Sequence, residues 1–210
     1  TGNYVQRVHE GAFIDCTSLS AIELPDMTDT IARNAFFGCK SLYQVKHNAK
    51  FINDSAFRDC EILENISLKS VNQIGAHAFR NTGFKHLTIP GNVNSLGSKA
   101  FADCLNLSEI VIEEGVEEIG EYCFAKLREI DVRRKFGKDV SYTAIKLVHT
   151  PKSIISVLNG AFMHCELVRV WTGSVCESHC VGFNIPYERI DESNLDNSTN
   201  TLEFLTFGQL

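Results

Sequence analysis

The sequence of 210 residues lacks any apolar run that approaches the roughly 20 residues needed to cross a bilayer as a helix. Proline is scarce, with four residues, and 44% of the residues are hydrophobic, so no long disordered segment is expected. Basic residues are in deficit, because 20 Lys and Arg stand against 26 Asp and Glu. The net charge of −6 argues against general nucleic-acid binding, which needs a basic surface to meet phosphates.

Fingerprints of common catalytic sites are also missing. No G-x-S-x-G elbow, Walker loop, H-E-x-x-H motif or dinucleotide-binding fingerprint occurs. The neighbours His164-Cys165 and His179-Cys180 are poor candidates for a thiol nucleophile, because adjacent residues on a chain rarely face each other. We therefore predict that the chain is not an enzyme and uses no cofactor or metal. The chain begins at Thr1 without a signal peptide, which we interpret as a mature or excised fragment.

One short motif recurs along the chain. It is an Ala-Phe pair with an aliphatic residue four positions before the Ala, and Cys123 replaces the Ala once. Successive Phe residues are 23, 21, 22, 22, 23 and then 38 positions apart, and a fixed period in this range is typical of stacked supersecondary units. The seven motif phenylalanines are Phe13, Phe36, Phe57, Phe79, Phe101, Phe124 and Phe162.

Each motif is followed by further regular positions. A Cys often comes three residues after the Phe, and a pair of aliphatic residues two apart comes later. Since side chains of a strand alternate between its two faces, each pair predicts a short strand that points two residues inward. Stacked units would align these strands into a parallel sheet, with the Phe residues as a core ladder. The pairs include Ile22/Leu24, Ile66/Leu68, Leu87/Ile89, Ile110/Ile112 and Ile130/Val132.

The composite pattern is I-G-x-x-A-F-x-x-C-x-x-L-x-x-I-x-I-P-x-x-V, and it resembles the BspA-like leucine-rich repeats of bacterial and some protist surface proteins. The stretch IGAHAFRNTGFKHLTIPGNVNSLGSKAFADCLNLSEIVIEEGVEEIG matches that pattern almost residue for residue. The resemblance covers roughly Gly11 to Ile190 and implies a leucine-rich repeat solenoid, mostly β, of about seven stacked repeats of 21–23 residues.

The resemblance also divides the chain. Residues 1–170 are expected to form the solenoid, with an insertion near 133–150, and residues 171–190 a helix-strand cap. Ser174 and Glu177 are spaced as a capping box that opens the cap helix. Residues 191–210 are expected to be a polar linker with a possible edge strand.

The eight cysteines are expected to be buried free thiols that serve as small apolar residues. Five occupy the repeat position and Cys123 the Ala position. Cys176 and Cys180, four apart on one face of the cap helix, take places where the family carries alanines. For these two, a disulfide or a zinc site that includes His164, Cys165 and His179 stays open as an alternative.

A long insertion is the first candidate binding surface. Val132 to Ile154 spans 22 residues where Ile112 to Val116 spans 4. The segment from Arg128 through Lys152 carries a charge of +4 in an acidic molecule, and basic residues beside aromatics suit an anionic partner. The alternative is an ordinary solvated loop. The candidate residues are Arg133, Arg134, Lys135, Phe136, Lys138 and Tyr142.

The outward face of the predicted strands is the second candidate, because the resemblance implies a concave recognition sheet. As read from the sequence, this face has no Trp, Tyr or Arg, the residues most often found at binding hot spots. The insertion is therefore the preferred contact. The candidate residues of the face are Glu23, Lys46, Ser67, Thr88, Val111 and Asp131.

Members of the resembled family are associated with adhesion to host matrix proteins and to other cells. The resemblance thus implies a non-enzymatic, extracellular or cell-surface binding module whose partner is a protein or an anionic glycan. A structural spacer that projects another domain of a longer surface protein is the alternative. A zinc-dependent or thiol enzyme built on the cap cysteines is a third, more remote reading.

Overall fold

The structure is a computed structural model that describes residues 4–127 and 144–192. The chain winds into a solenoid of about seven coils, followed by one helix and one strand. A typical coil contains a two-residue strand, the turn that holds the Ala-Phe pair, and a second strand of two to four residues. The predicted leucine-rich repeat solenoid with its helix-strand cap is confirmed.

The first strands of the coils form a parallel seven-stranded sheet, in which the row Ile31, Ile52 and Ile74 points into the core. This sheet was not predicted from the sequence, since two-residue strands carry almost no periodic signal. Its strands are β1 (Arg7–Val8), β3 (Thr30–Ile31), β5 (Phe51–Ile52), β7 (Gln73–Ile74), β9 (Ser95–Leu96), β11 (Glu118–Ile119) and β13 (Ser156–Val157).

The second strands include those that the pairs Ile22/Leu24, Ile66/Leu68, Leu87/Ile89 and Ile110/Ile112 predict, and the parallel stacking of these strands is confirmed. The first three of them form a three-stranded sheet and the last five form a five-stranded sheet. The coil between them is one residue short: Leu87 follows Phe79 by eight positions, whereas Ile66 follows Phe57 by nine. The strands are β2 (Ala21–Glu23), β4 (Gln44–Lys46), β6 (Asn65–Ile66), then β8 (His86–Ile89), β10 (Glu109–Ile112), β12 (Leu147–His149), β14 (Val168–Trp171) and β15 (Tyr187–Ile190).

The seven motif phenylalanines stack as one continuous column of rings. Ring centroids of neighbours lie 4.9 Å apart at Phe13 and Phe36 and 6.2 Å apart at Phe124 and Phe162, all nearly parallel. Except for Phe13 in the first coil, which is partly buried, these side chains are almost completely buried. The column continues across the 38-residue spacing, so the insertion does not interrupt the core.

Tight turns flank every Ala-Phe pair. The residue two positions before the Phe has a positive φ in every coil, and so does the residue two positions after it in every coil except that of Phe124. Asn and Asp adopt this left-handed conformation more readily than other non-glycine residues, and Asn34 and Asp103 are examples. At Gly38, with a φ of 72°, an added Cβ would lie 2.1 Å from the Asp15 carboxylate, so a larger residue here would have to displace that side chain as well as adopt the left-handed conformation.

The repeat cysteines make one recurring hydrogen bond. Three of these thiols donate to the carbonyl of the motif Phe in the preceding coil: Cys39 Sγ to Phe13 O at 3.0 Å, Cys60 Sγ to Phe36 O at 3.1 Å and Cys104 Sγ to Phe79 O at 3.2 Å. Seven of the eight thiols are buried, as expected. The prediction is wrong for Cys16, which is exposed because it lies in the first described coil.

The helix α1 (Val175–Phe183) closes the C-terminal end. Ser174 caps it by accepting a hydrogen bond from the Glu177 amide, and the Glu177 carboxylate accepts one from the Gly173 amide, so the predicted capping box is confirmed. Cys176 and Cys180 are fully buried beneath the helix, which confirms their inward packing. Arg189 of β15 donates to Glu177 at 2.6 Å and joins the last strand to the helix.

The position of the insertion needs a correction. The strand that pairs with β10 in the sixth coil is Leu147–His149, so the predicted pair Ile130/Val132 does not form it. Ile130 and Val132 lie outside the described residues, and residues 147–149 belong to the sheet rather than to an insertion near 133–150. The extra residues of this coil therefore come before β12.

In the part of the chain that the structure describes, no helix has the length and apolar character to span a membrane.

Replacing Phe79 or Phe101 by Ala is expected to destabilise the protein by about 3–5 kcal/mol, as truncations of large core side chains do. Each ring contacts a ring above and a ring below, so its loss opens the column on both sides. Thermal unfolding should show a Tm lower by roughly 6–20 °C for a chain of this size. The matched control is Phe51→Ala, because Phe51 is 39% exposed on the outer face of β5. Similar Tm changes for Phe79→Ala and Phe51→Ala would contradict the assignment of the ring column as the core.

Thiol titration provides a second check of the core. Native protein should react rapidly with a thiol reagent at one cysteine, the exposed Cys16, and protein denatured without reductant should react at all eight. A count of six after denaturation, with Cys176 and Cys180 unreactive, would show a cap disulfide. Metal analysis of the same sample should find no stoichiometric zinc, and one zinc per chain would restore the zinc-site alternative.

Candidate functional site

The outward side chains of the five-stranded sheet form one continuous surface, here called the five-strand face. The strands alternate buried and accessible residues, so every second side chain points away from the core. The parallel register brings side chains of neighbouring coils next to one another. The face consists of His86, Thr88, Glu109, Val111, Leu147, His149, Arg169, Trp171, Glu188 and Ile190.

The predicted residues of the outward face fall on two different sheets. Thr88 and Val111 belong to the five-strand face. Glu23 and Lys46 are exposed on β2 and β4 of the three-stranded sheet and form an ion pair at 3.5 Å, and Ser67 follows β6. Asp131 lies outside the described residues, and in the register of this row the residue next to Val111 is His149.

Sequence reasoning missed the residues that distinguish this face. Arg169 lies between the buried Val168 and Val170 of β14, Trp171 follows Val170, and both point outward. The prediction that the outward face has neither Trp nor Arg is therefore wrong. The alternation of Val168 and Val170 after Phe162 is the signal that would have found them. His149 was missed for another reason. The strand of the sixth coil was predicted at Ile130/Val132, before the insertion, whereas it lies at Leu147–His149.

Polar and charged groups on the face lie close to one another across neighbouring coils. Arg169 Nε lies 2.8 Å from the Glu188 carboxylate, and His86 Nδ1 lies 3.6 Å from that of Glu109. Burial and the nearby Arg169 lower the pKa of His149, while two carboxylates oppose that shift. His149 is therefore neutral at neutral pH, and the centre of the face combines a neutral imidazole with the apolar side chains of Val111 and Leu147.

A hollow of about 370 Å³ lies at the carboxyl end of β14, where the face meets the cap. Its wall includes the indole ring of Trp171, and the Lys152 ammonium lies 4.2 Å from the ring centroid. The same ammonium pairs with the Glu192 carboxylate at 2.5 Å. The other residues that line it are Thr172, Gly173, Ser174, Ile190 and Asp191.

A second open hollow, of about 490 Å³, lies on the three-stranded sheet. Its lining is mostly polar, with the side chains of Lys46, Asn48 and Lys69 among others. His47 stands here where the repeat calls for an aliphatic residue, and its Nδ1 accepts a hydrogen bond from the Ala49 amide at 3.0 Å. Burial lowers the pKa of His47. This hollow thus presents amides, hydroxyls and ammonium groups without an aromatic wall.

The basic insertion lies outside the described residues. Its six candidate residues, Arg133, Arg134, Lys135, Phe136, Lys138 and Tyr142, therefore remain predictions. The described chain ends before it at Leu127 and resumes at Ala144, three residues before β12. The insertion is consequently joined to the amino-terminal end of a strand in the five-strand face.

Burial makes four of the cysteine thiols less reactive. It raises the pKa of Cys104 and Cys180 to about 11 and that of Cys176 to about 12, and it also raises the pKa of Cys165. A thiol held protonated is a weak nucleophile and a poor metal ligand. Across residues 4–127 and 144–192, no three His, Cys, Asp or Glu side chains come together in a group that could hold a metal.

The repeat pattern is matched by a protein-family model, the BspA type leucine-rich repeat region, in six copies over residues 2–104 and 50–169. The chain belongs to this family. A comparison with curated protein sequences finds no match.

Solved structures of leucine-rich repeat proteins share the fold. The Treponema pallidum protein TpLRR aligns with a TM-score of 0.56 at 21% identity, over 96% of this chain and 77% of that protein. The pneumococcal vaccine antigen PcpA aligns with a TM-score of 0.57 at 19% identity, over 83% of this chain and 42% of that one. A Bacteroides ovatus leucine-rich repeat protein aligns with a TM-score of 0.48 at 19% identity, over 87% and 55% of the two chains. The chain thus spans about half the length of two of these proteins.

Half-buried and buried histidines are expected to make the fold sensitive to mild acid. Burial lowers the pKa of His47, His77, His149 and His179. Below about pH 6.5 the unfolded chain therefore binds more protons than the folded chain. These histidines therefore do not reduce the free energy of unfolding above about pH 6.5. They reduce it increasingly as the pH falls below about 6.5 toward their lowered pKa values.

The measurement is the Tm at pH 7.5 and at pH 5.5. Paired carboxylates such as Glu177, whose ordinary pKa is 4.5, do not contribute to the change in stability between these two pH values. The variant His47→Leu, which restores the aliphatic residue of the repeat, should lose less Tm between the two pH values than the parent. An equal loss in parent and variant would show that His47 does not contribute to the acid sensitivity.

Proposed function

We propose that the chain is a partner-binding module of a cell-surface protein and that the five-strand face is its main contact surface. The observation that supports the proposal is the presence of Arg169 and Trp171 on the same face as the apolar side chains of Leu147 and Val111. Trp and Arg are enriched at binding hot spots, and an apolar centre with charged neighbours is the usual composition of an interface.

The core of the solenoid does not depend on the outward side chains of the five-strand face. The Phe column, the aliphatic rows and the thiols fill the core. Leu147 and Trp171 are half-buried on the outside, where a polar residue would leave the core intact. Their position with Arg169 on one continuous face supports a partner that covers them.

Family membership supports the class of function. BspA-type repeats are found in surface proteins, and the family consists typically of non-enzymatic scaffolds, so we assign no catalytic role. A protein or a glycan on a matrix or on another cell is the proposed partner. The basic insertion is joined to the amino-terminal end of β12, so it is proposed as an additional contact for anionic groups.

The test measures retention of the protein on heparin and on immobilised fibronectin, laminin and collagen. The face variant combines Leu147→Ala and Arg169→Ala. Its matched control combines Gln44→Ala and Lys46→Ala, which occupy the same two outward positions of a strand in the three-stranded sheet. A third variant changes Arg133, Arg134 and Lys135 to Ser. The face variant should weaken binding about tenfold, as loss of a hot spot does, and the control less than twofold.

Salt dependence separates the two proposed contacts. Loss of the three basic residues should flatten the dependence of binding on NaCl, because long-range attraction to an anionic partner is screened by salt. Loss of the face residues should weaken binding at every salt concentration. Equal binding by the face variant and its control would refute the face as the contact surface, and no retention of the parent would favour the structural spacer.

A further inference from the structure

The hollow at the carboxyl end of β14 contains an arrangement that the binding function does not by itself explain. A positive group of the chain, the Lys152 ammonium, lies between the face of an indole ring and a carboxylate. The indole is that of Trp171, the single Trp of the sequence, and the carboxylate is that of Glu192. The second carboxylate of the wall, that of Asp191, accepts a hydrogen bond from the Thr172 hydroxyl.

An aromatic face with adjacent carboxylates is a chemical environment for cations. The negative face of the indole ring attracts an ammonium or guanidinium group by about 0.5–2 kcal/mol, depending on exposure. Glu192 adds a charge-assisted hydrogen bond, and Asp191 keeps acceptor capacity beyond its bond to Thr172. The contact with Lys152 lowers the pKa of Glu192, so this carboxylate is charged at neutral pH.

The Lys152 side chain can leave this position at little cost to the fold. It is 46% exposed, and it sits on a turn whose backbone is held separately, since the Lys152 amide donates to the Glu114 carboxylate at 3.0 Å. Ion pairs as exposed as this one contribute at most about 1 kcal/mol, and a lysine loses rotamer freedom when it is held in one place. Its ammonium is therefore an exchangeable occupant.

The net negative charge of the described residues favours the same class of ligand. The described residues carry 15 of the 20 Lys and Arg and 21 of the 26 Asp and Glu, a net charge of −6. Trp171 also belongs to the five-strand face, so a partner seated there lies beside the hollow. A basic side chain of that partner would be attracted by the field and would meet the indole ring at the rim of the contact.

We propose that this hollow is a binding site for a lysine or arginine side chain of a protein partner, and that Lys152 occupies it until the partner displaces it. The identity of the partner rests on the proposed binding function. The chemistry of the hollow does not, because a small cation can test it without any partner.

The experiment uses the fluorescence of Trp171, which as the single Trp reports directly on this site. The probe is N-acetyl-arginine amide, and N-acetyl-citrulline amide is its neutral counterpart of nearly the same shape. Both are titrated into the parent, into Lys152→Ala, and into the control Lys146→Ala, which removes an exposed lysine that does not line the hollow. Ionic strength is kept constant with NaCl.

The Lys152→Ala variant should show a saturable fluorescence change with the arginine probe and bind it about threefold to fivefold more tightly than the parent, since the internal competitor is gone. Lys146→Ala should match the parent. Adding Glu192→Gln to Lys152→Ala should weaken binding again, and circular dichroism should show that all variants are folded.

Three results would overturn the proposal: equal responses to the citrulline and arginine probes, no tighter binding by Lys152→Ala than by the parent, or no saturable response in any variant. These outcomes are independent of the matrix-binding test. A positive fluorescence result with no matrix binding would refute the proposed partner surface and keep the cation site.

Discussion

The stacked phenylalanine rings are the constraint on which the rest of this molecule depends. Each ring fills the interior of one coil, and the contact between rings sets the distance between coils near 5 Å, which is also the spacing that hydrogen bonds impose between strands. The strands of all three sheets can pair because the rings allow that spacing. The left-handed turns on either side of the Ala-Phe pair then follow, since they keep the coil narrow enough for one ring.

The repeat made most of this fold predictable. A residue that is buried in the same way in every coil recurs in the sequence. The spacing of Phe57, Phe79 and Phe101 therefore indicates the length of the repeat from the sequence alone. The cap was predictable for a similar reason, because a capping box is a local signal in the chain. The seven-stranded sheet was not predictable in this way, since its strands are two residues long and their pairing depends on the stacking of whole coils.

The error in the sixth coil shows where hydrophobic alternation fails. Ile130 and Val132 alternate correctly, but they follow Phe124 by six and eight positions, whereas Ile110 and Ile112 follow Phe101 by nine and eleven. The strand that forms instead places Val148 inward, and its second inward residue is Thr150 rather than an aliphatic. The buried Thr150 hydroxyl is satisfied by donating to Arg169 O at 2.8 Å, which explains how a polar residue can take a core position.

The candidate site was harder to predict than the core because outward residues do not repeat. Their neighbours are set by the register between coils, so a shift in one coil changes which side chains meet. Once Leu147–His149 is the sixth strand, His149 lies beside Val111 and Arg169, and Arg169 lies beside Glu188. The core of this solenoid is thus encoded in each unit separately, whereas the arrangement of its outward side chains depends on the register between coils. An insertion placed before a strand can change the outward side chains without disturbing the ring column. In the sixth coil the outward residue next to Val111 is His149, and the ring column still continues from Phe124 to Phe162.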